Sequence, residues 1–165
     1  MKSIFSTTAT NWQLPIRLGL FLIFWMHGAQ KVLGMYGGPG LNGFVGWLGS
    51  TGVPAPLAYL AAFAEFLGCF GMAFGFLTRI AAIGILSNMT VAILTVHLKN
   101  GFFADKGGYE YPLALWCMAF AMLIGGAGNL SIDRMISTRR QSGPSRSAIA
   151  RNEAINPKPP VWRQS

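Results

Sequence analysis

Four apolar stretches separated by short polar intervals set the pattern of this chain. They cover residues 14–33, 56–77, 80–96 and 111–127. A transmembrane helix needs about 20 mostly apolar residues, and each stretch is close to that length. The first is the least uniform, because its unbroken apolar run is only residues 18–26 and Arg17 stands just before it. A signal peptide is the other reading of that stretch, but no A-x-A cleavage site follows it. The second stretch holds Glu65 as its only charge, and the third and fourth hold none. Pro15, Pro56 and Pro112 lie near three of the starts, where a missing N–H costs nothing. The link Thr78-Arg79 between the second and third stretches is so short that it forces an antiparallel hairpin. The pattern predicts an all-α membrane protein, an antiparallel four-helix transmembrane bundle within residues 1–133.

The long interval 34–55 is glycine-rich, and its Phe44, Val45, Trp47 and Leu48 predict a short interfacial or re-entrant segment. Glycines at 40, 43, 46, 49 and 52 repeat every third residue, but the run is too short for collagen and lacks its proline. After about Ser137 the residues turn to Ser, Arg, Pro, Asn and Gln, so a disordered tail is expected over 134–165.

Composition agrees with this pattern. The 165 residues suit one domain, and 52% are hydrophobic against 11% charged. Soluble domains carry about 25% charged residues. The net charge of +8 hints at nucleic acid until it is located. Residues 134–165 hold seven basic side chains against Glu153 alone, which leaves a net +2 for residues 1–133. A basic tail after an apolar segment reads as topology and anionic-lipid contact, not nucleic-acid binding. Lys2, Arg17, Arg79 and the tail fall on one side of the predicted spans; Lys31, Lys99 and Lys106 fall on the other. The positive-inside rule then places both termini of a multi-pass inner-membrane protein in the cytoplasm, with loops 34–55 and 98–110 outward.

Several motifs carry no weight in this context. Residues 38–43 match G-x-G-x-x-G but lack the strand and helix of a dinucleotide site. The sequons at 88–90 and 129–131 fall in a predicted span and on the cytoplasmic side. Gly71 and Gly75 fit GxxxG, which serves either packing within the chain or an oligomer contact. Cys69 and Cys117 have neither metal-ligand spacing nor matching depth, so buried, inert thiols are expected and no metal site.

The ionisable residues inside the apolar region share one side. His27, Lys31, Glu65, His97 and Glu110 all fall toward the outer half of the predicted spans. Charge in hydrocarbon is costly, which makes such residues functional candidates. His27 lies ~15 Å beyond Arg17 along a helix, Lys31 ~21 Å beyond it, and Glu65 ~14 Å in from Pro56. His27, Gln30 and Lys31 are three and four residues apart and share a helix side. Lys31 or His27 is therefore the expected partner of Glu65, and these three are the candidate catalytic set. Simpler readings stand beside this one. Lys31 also suits snorkelling to the interface, His27 a packing role, and His97 and Glu110 ordinary span ends. Asn88 lies nine residues before His97, about 180° around the helix, so both enter one chamber only if the helix distorts.

The stretches His27-Gly28-Ala29-Gln30-Lys31, Gly37-Gly38-Pro39-Gly40, residues 95–103 and Gly107-Gly108-Tyr109-Glu110-Tyr111-Pro112 together resemble the DoxX family over roughly residues 13–133. These are small bacterial and archaeal inner-membrane proteins. The resemblance implies four membrane helices and a motif set of His27, Gln30, Lys31, Glu65, His97, Asn100, Gly101, Glu110 and Tyr111. Gln30, His97, Asn100, Glu110 and Tyr111 become candidate substrate-binding residues beside the catalytic three. Some relatives are tied to thiosulfate oxidation with quinone as acceptor, and others to thiol-redox or oxidative-stress complexes. The expected function is thus a subunit of a quinone-linked oxidoreductase or thiol-redox complex. No haem pair, flavin motif or iron–sulfur cysteines are evident, so quinone is the one cofactor suggested. The alternatives are a non-enzymatic subunit that recruits a soluble redox-enzyme partner, and a small transporter that works as an oligomer.

Overall fold

The structure, a computed structural model, describes residues 4–141, 151 and 155–156. Its helices are α1 (Gln13–Leu33), α2 (Gly40–Ser50), α3 (Ala55–Phe74), α4 (Thr78–Ala92), α5 (Glu110–Gly125) and α6 (Ile132–Gln141). No strand occurs among the described residues. α4 continues through a π-helical turn, Ile93–His97, and a 3-10 turn, Leu98–Asn100. The four apolar stretches therefore become α1, α3, α4 and α5, and the apolar patch of the long loop becomes α2. α6 runs across the composition change at residue 133, and most of the tail expected to be disordered lies outside the described residues.

Two helical segments are long and apolar enough to cross a membrane, Ala55–Phe74 and Thr78–Asn100. α5 is apolar but only 16 residues long, and α1 is interrupted by Arg17, Gln30 and Lys31. Of the four spans expected, two meet the length and apolarity requirement outright. The outward faces are apolar throughout: Leu22, Leu60, Leu67, Leu94 and Ile124 are each more than 60% exposed. A soluble monomer rarely exposes so much contiguous apolar surface.

α3 packs between α1 and α4, α4 carries α5, and α5 returns to α1. Leu20, Phe24, Met72, Ile85, Ala119 and Met122 fill the interior, each no more than 1% exposed. Glycines bring the backbones together. A Cβ at Gly28 would lie 2.8 Å from Phe66 Cα, so α1 meets the backbone of α3 there. Gly28→Ala is expected to cost about 1–3 kcal/mol through overpacking. The check is the midpoint of unfolding in detergent, and an unshifted midpoint would show that the two helices have room to part.

α3 stops at Gly75, whose φ of 62° is left-handed. The link is consequently residues 75–77, and Thr78 and Arg79, expected as the link, open α4 instead. Hydropathy could not place this stop, because Phe76 and Leu77 are as apolar as the helix before them. Gly71 and Gly75 are both occupied within the chain. A Cβ on Gly71 would meet Phe76 O at 3.0 Å and Ala81 Cβ at 3.1 Å, and one on Gly75 would meet the Arg17 guanidinium carbon at 2.7 Å.

Polar side chains close this end. Arg17 is 1% exposed. Its Nε donates to Met72 O at 2.7 Å and its Nη2 to Ala73 O at 2.8 Å. Its Nη1 donates to Ala127 O at 2.9 Å and Leu130 O at 2.7 Å. Arg79 donates to the Ser6, Leu123 and Ile124 carbonyls. The two arginines thus supply partners for the carbonyls that α3 and α5 leave open at their C-termini. The Asp133 carboxylate accepts from Leu77 N at 2.9 Å and Thr78 N at 3.0 Å, covering the N-terminus of α4.

Candidate functional site

The opposite end carries the candidate chemistry. Glu65 lies on the interior face of α3, in line with buried Ala58, Ala62, Cys69 and Met72, and is 3% exposed. α1 delivers Lys31 to it. Lys31 Nζ donates to Glu65 Oε1 at 2.6 Å and Oε2 at 2.5 Å, one cation across both oxygens of a carboxylate. Gly28 sets up this meeting. With no side chain there, α1 presses against Phe66, and Lys31, one turn further on, arrives beside Glu65.

α2 covers the pair. Phe44 and Leu48 pack with Ala58 and Ala62, which fixes α2 across the ends of α1 and α3. The Phe44 ring centroid lies 4.9 Å from Lys31 Nζ, a cation–π contact that residue spacing gave no means of finding. Gln30 helps hold the loop in place. Its Nε2 donates weakly to Tyr36 O at 3.4 Å, and a Cβ on Gly38 would lie 2.4 Å from Gln30 O.

His27 does not join the pair. It is exposed on α1 and makes no hydrogen bond with another described residue. Four helical residues advance about 400°, so His27 and Lys31 diverge by about 40°. The long lysine stem closes that angle toward Glu65, and the short imidazole arm does not.

The remaining candidates shape the loop after α4. His97 Nδ1 donates to Gly107 O at 2.7 Å, and Asn100 Nδ2 donates to the same carbonyl at 3.1 Å. A carbonyl only accepts, so the Nδ1 of His97 is the donor in this bond. Ala104 N donates to Glu110 Oε2 at 3.0 Å. Tyr109 N donates to Gly101 O and Glu110 N to Phe102 O, at 3.1 and 2.9 Å. Tyr111 opens onto the surface at 46% exposure. His97, Asn100 and Glu110 thus fasten a turn whose outer surface shows Phe102 and Phe103 at 45% and 61% exposure. The π-helical turn at Ile93–His97 is the distortion that a shared Asn88–His97 chamber requires. Asn88 nevertheless donates to Ala61 O of α3 at 2.8 Å.

Among the described residues no three His, Cys, Asp or Glu side chains are grouped to hold a metal, and Cys69 and Cys117 are both free. The site is therefore an ion pair, a cation–π cover and a fastened loop at one end of an all-helical, apolar-surfaced protein. The DoxX family model fits residues 12–98, from the start of α1 through the π-helical turn. The chain is 31% identical over 132 residues to the protein named "Putative oxidoreductase CatD" of Bacillus subtilis strain 168, covering 79% of this chain and 90% of the relative. It is also 31% identical over 85 residues, 51% of this chain and 56% of the relative, to an "Uncharacterized protein" of Haemophilus influenzae. The chain belongs to the DoxX family. No solved structure matches it.

Proposed function

We propose that the protein is a multi-pass inner-membrane subunit of a quinone-linked oxidoreductase, with α1, α3, α4 and α5 each crossing once and both termini cytoplasmic. The apolar outward faces and the excess of basic residues at the Arg17 end support this placement. The observation that carries the chemistry is the Lys31–Glu65 pair, the one salt bridge among the described residues. A quinone head group needs a hydrogen-bond donor at its carbonyl oxygen and a group that relays protons. Lys31 serves the first need and Glu65 the second. In the thiol form of the reaction two thiols lose two electrons and two protons to become a disulfide, and the quinone takes up both to become quinol. With no electron carrier evident in the sequence, electrons pass directly from donor to quinone or through a soluble redox partner.

The test is quinol formation by the purified protein in lipid nanodiscs, with ubiquinone or menaquinone and either a dithiol or thiosulfate. Glu65→Gln is expected to lower the rate at least tenfold while quinone still binds; general acid–base steps contribute about 10²–10⁴-fold. Wild-type protein inert with every donor and quinone would overturn the enzymatic reading. The second reading, recruitment of a redox enzyme, draws on the fastened loop with its exposed Phe102 and Phe103. Crosslinking followed by purification checks it, and a chain that always isolates alone would count against it. A transport path draws little support, because Leu20, Phe24, Cys69 and Met72 fill the interior between Glu65 and Arg17.

A further inference from the structure

Lys31 and Glu65 are not equally open to a ligand. Lys31 shows 23% of its side chain and Glu65 only 4%, so a head group that touches the ammonium does not reach the carboxylate. The bundle interior gives no way in, because Cys69 and Met72 follow Glu65 along the same face of α3 and are fully buried. Beside the pair α1 lies against Phe66 through Gly28, and α4 is tied to Ala61 by Asn88. Over the pair lies α2, with Phe44 and Leu48 at 7% and 5% exposure. A Glu65 that takes part in chemistry therefore needs a neighbour that moves.

α2 is the neighbour held most lightly. Among the described residues no hydrogen bond or ion pair runs from residues 40–50 to α1 or α3, and the hydroxyls of Ser50 and Thr51 donate back to Trp47 O and Leu48 O of α2 itself. The attachment is Phe44 and Leu48 on Ala58 and Ala62, with the Phe44 ring on Lys31 Nζ. The other side of α2, with Asn42, Gly46, Trp47 and Ser50, is exposed. Both ends are glycine. Gly40 and Gly52 have φ of 66° and 91°; a Cβ at Gly40 would meet nothing nearer than 3.9 Å, and one at Gly52 nothing within 4 Å. Left-handed glycines in open space let the chain turn without a clash. Gly38 is wedged on Gln30, so the mobile part begins after it. A short helix held by few apolar contacts between such hinges is the kind of segment that opens while the rest of a fold stays intact.

We propose that α2 is a lid: it swings out on Gly40 and Gly52, and the ring of a quinone takes the place that Phe44 holds beside Lys31. In the closed state the face of the Phe44 ring keeps the ammonium in position. In the open state the entering ring replaces it, Lys31 donates to a quinone carbonyl oxygen, and Glu65 is uncovered. A ligand that binds only the open form draws the population toward that form. The inference deepens the reading of Lys31 and Glu65 as the reacting pair and rests on it.

The experiment uses the full chain in nanodiscs, with Leu48→Cys/Ala58→Cys to join α2 to α3 and Cys117→Ser to remove the exposed native thiol. The two new thiols are linked by an oxidant, or by dibromobimane where they stand too far apart. The readout is the rate at which dicyclohexylcarbodiimide, an apolar carboxyl reagent, labels Glu65, which needs no turnover. Linking is expected to slow labelling roughly tenfold or more relative to the same protein unlinked. Ubiquinone is expected to protect Glu65 roughly threefold or more in the unlinked protein. Equal labelling with and without the link would overturn the lid. A link that slows labelling, together with no protection by ubiquinone, would instead overturn the quinone reading on which the ring exchange rests. Leu48→Cys alone, on the same Cys117→Ser background, keeps the test open where the paired variant does not fold. Its thiol replaces a side chain that is 5% exposed, and ubiquinone is expected to speed its reaction with N-ethylmaleimide roughly threefold. A rate that stays the same while Glu65 is protected would show that quinone reaches the pair with α2 in place, and the lid would fall.

Discussion

Arg17→Met is expected to lower stability by about 3–5 kcal/mol, the range seen when one member of a buried charged network is removed. The guanidinium holds four carbonyl oxygens that belong to two separate pieces of chain, the end of α3 and the segment between α5 and α6. Methionine fills much of the same volume and leaves all four without this donor, the Met72 and Ala127 carbonyls in buried surroundings. Hydrogen bonds to charged groups are worth about 1.5–3 kcal/mol each, so the sum exceeds the expected loss and some relaxation is already allowed for. Arg17→Lys separates charge from geometry. A lysine ammonium has three donors on a flexible stem and cannot reproduce the planar fork, so it is expected to recover less than half of the loss. Unfolding midpoints in a detergent titration check both variants. A methionine variant within about 1 kcal/mol of wild type, or a lysine variant equal to it, would show that the four bonds contribute little.

Breaking the Lys31–Glu65 pair from one side is expected to cost nearly as much. Lys31→Met leaves a carboxylate that is 3% exposed with no cation, and Glu65→Leu leaves a partly exposed ammonium with the Phe44 ring beside it. The first is expected to lose about 3–5 kcal/mol and the second less, because its ammonium still reaches water. The double variant Lys31→Met/Glu65→Leu removes both charges and is expected to lose much less, because neither partner is then stranded. The resulting coupling, about 2 kcal/mol or more, is read from the four midpoints of a double-mutant cycle. Single losses that simply add in the double variant would mean that the two side chains do not act as a pair. The cycle also bears on function. If the double variant folds well yet forms no quinol, the charges serve chemistry and not assembly.

The helices were legible because long apolar runs are hard to mistake, although only two of them have the length and apolarity of a span, and α2 showed itself through four apolar residues in a glycine-rich loop. The Lys31–Glu65 pair was legible through depth: two opposite charges at similar heights on neighbouring helices have few other partners. Depth did not say which way each side chain turns, and there the reading of His27 parted from its position in the fold. The fastened loop was partly legible, since His97, Asn100 and Glu110 stood out as a set, but their carbonyl partners are main-chain atoms with no signature in the residue pattern. Arg17 was read only as a charge that orients the chain. Its partners are again carbonyls, and they lie 55 to 113 residues away. Asp133 escaped notice for the same reason, because it caps a helix that begins 55 residues earlier. Side chains that bond the backbone of distant segments leave no periodic mark.

That separation has a consequence for how the molecule is made. Synthesis proceeds from the N-terminus at about 5–20 residues per second. The Met72 and Ala73 carbonyls reach Arg17 once the first helical hairpin is complete, but the Leu130 carbonyl lies 113 residues downstream. For several seconds the arginine is only half bonded. Only when the last apolar segment is in place does the guanidinium draw the two ends of the chain together, so a nascent protein halted before residue 130 remains unlatched.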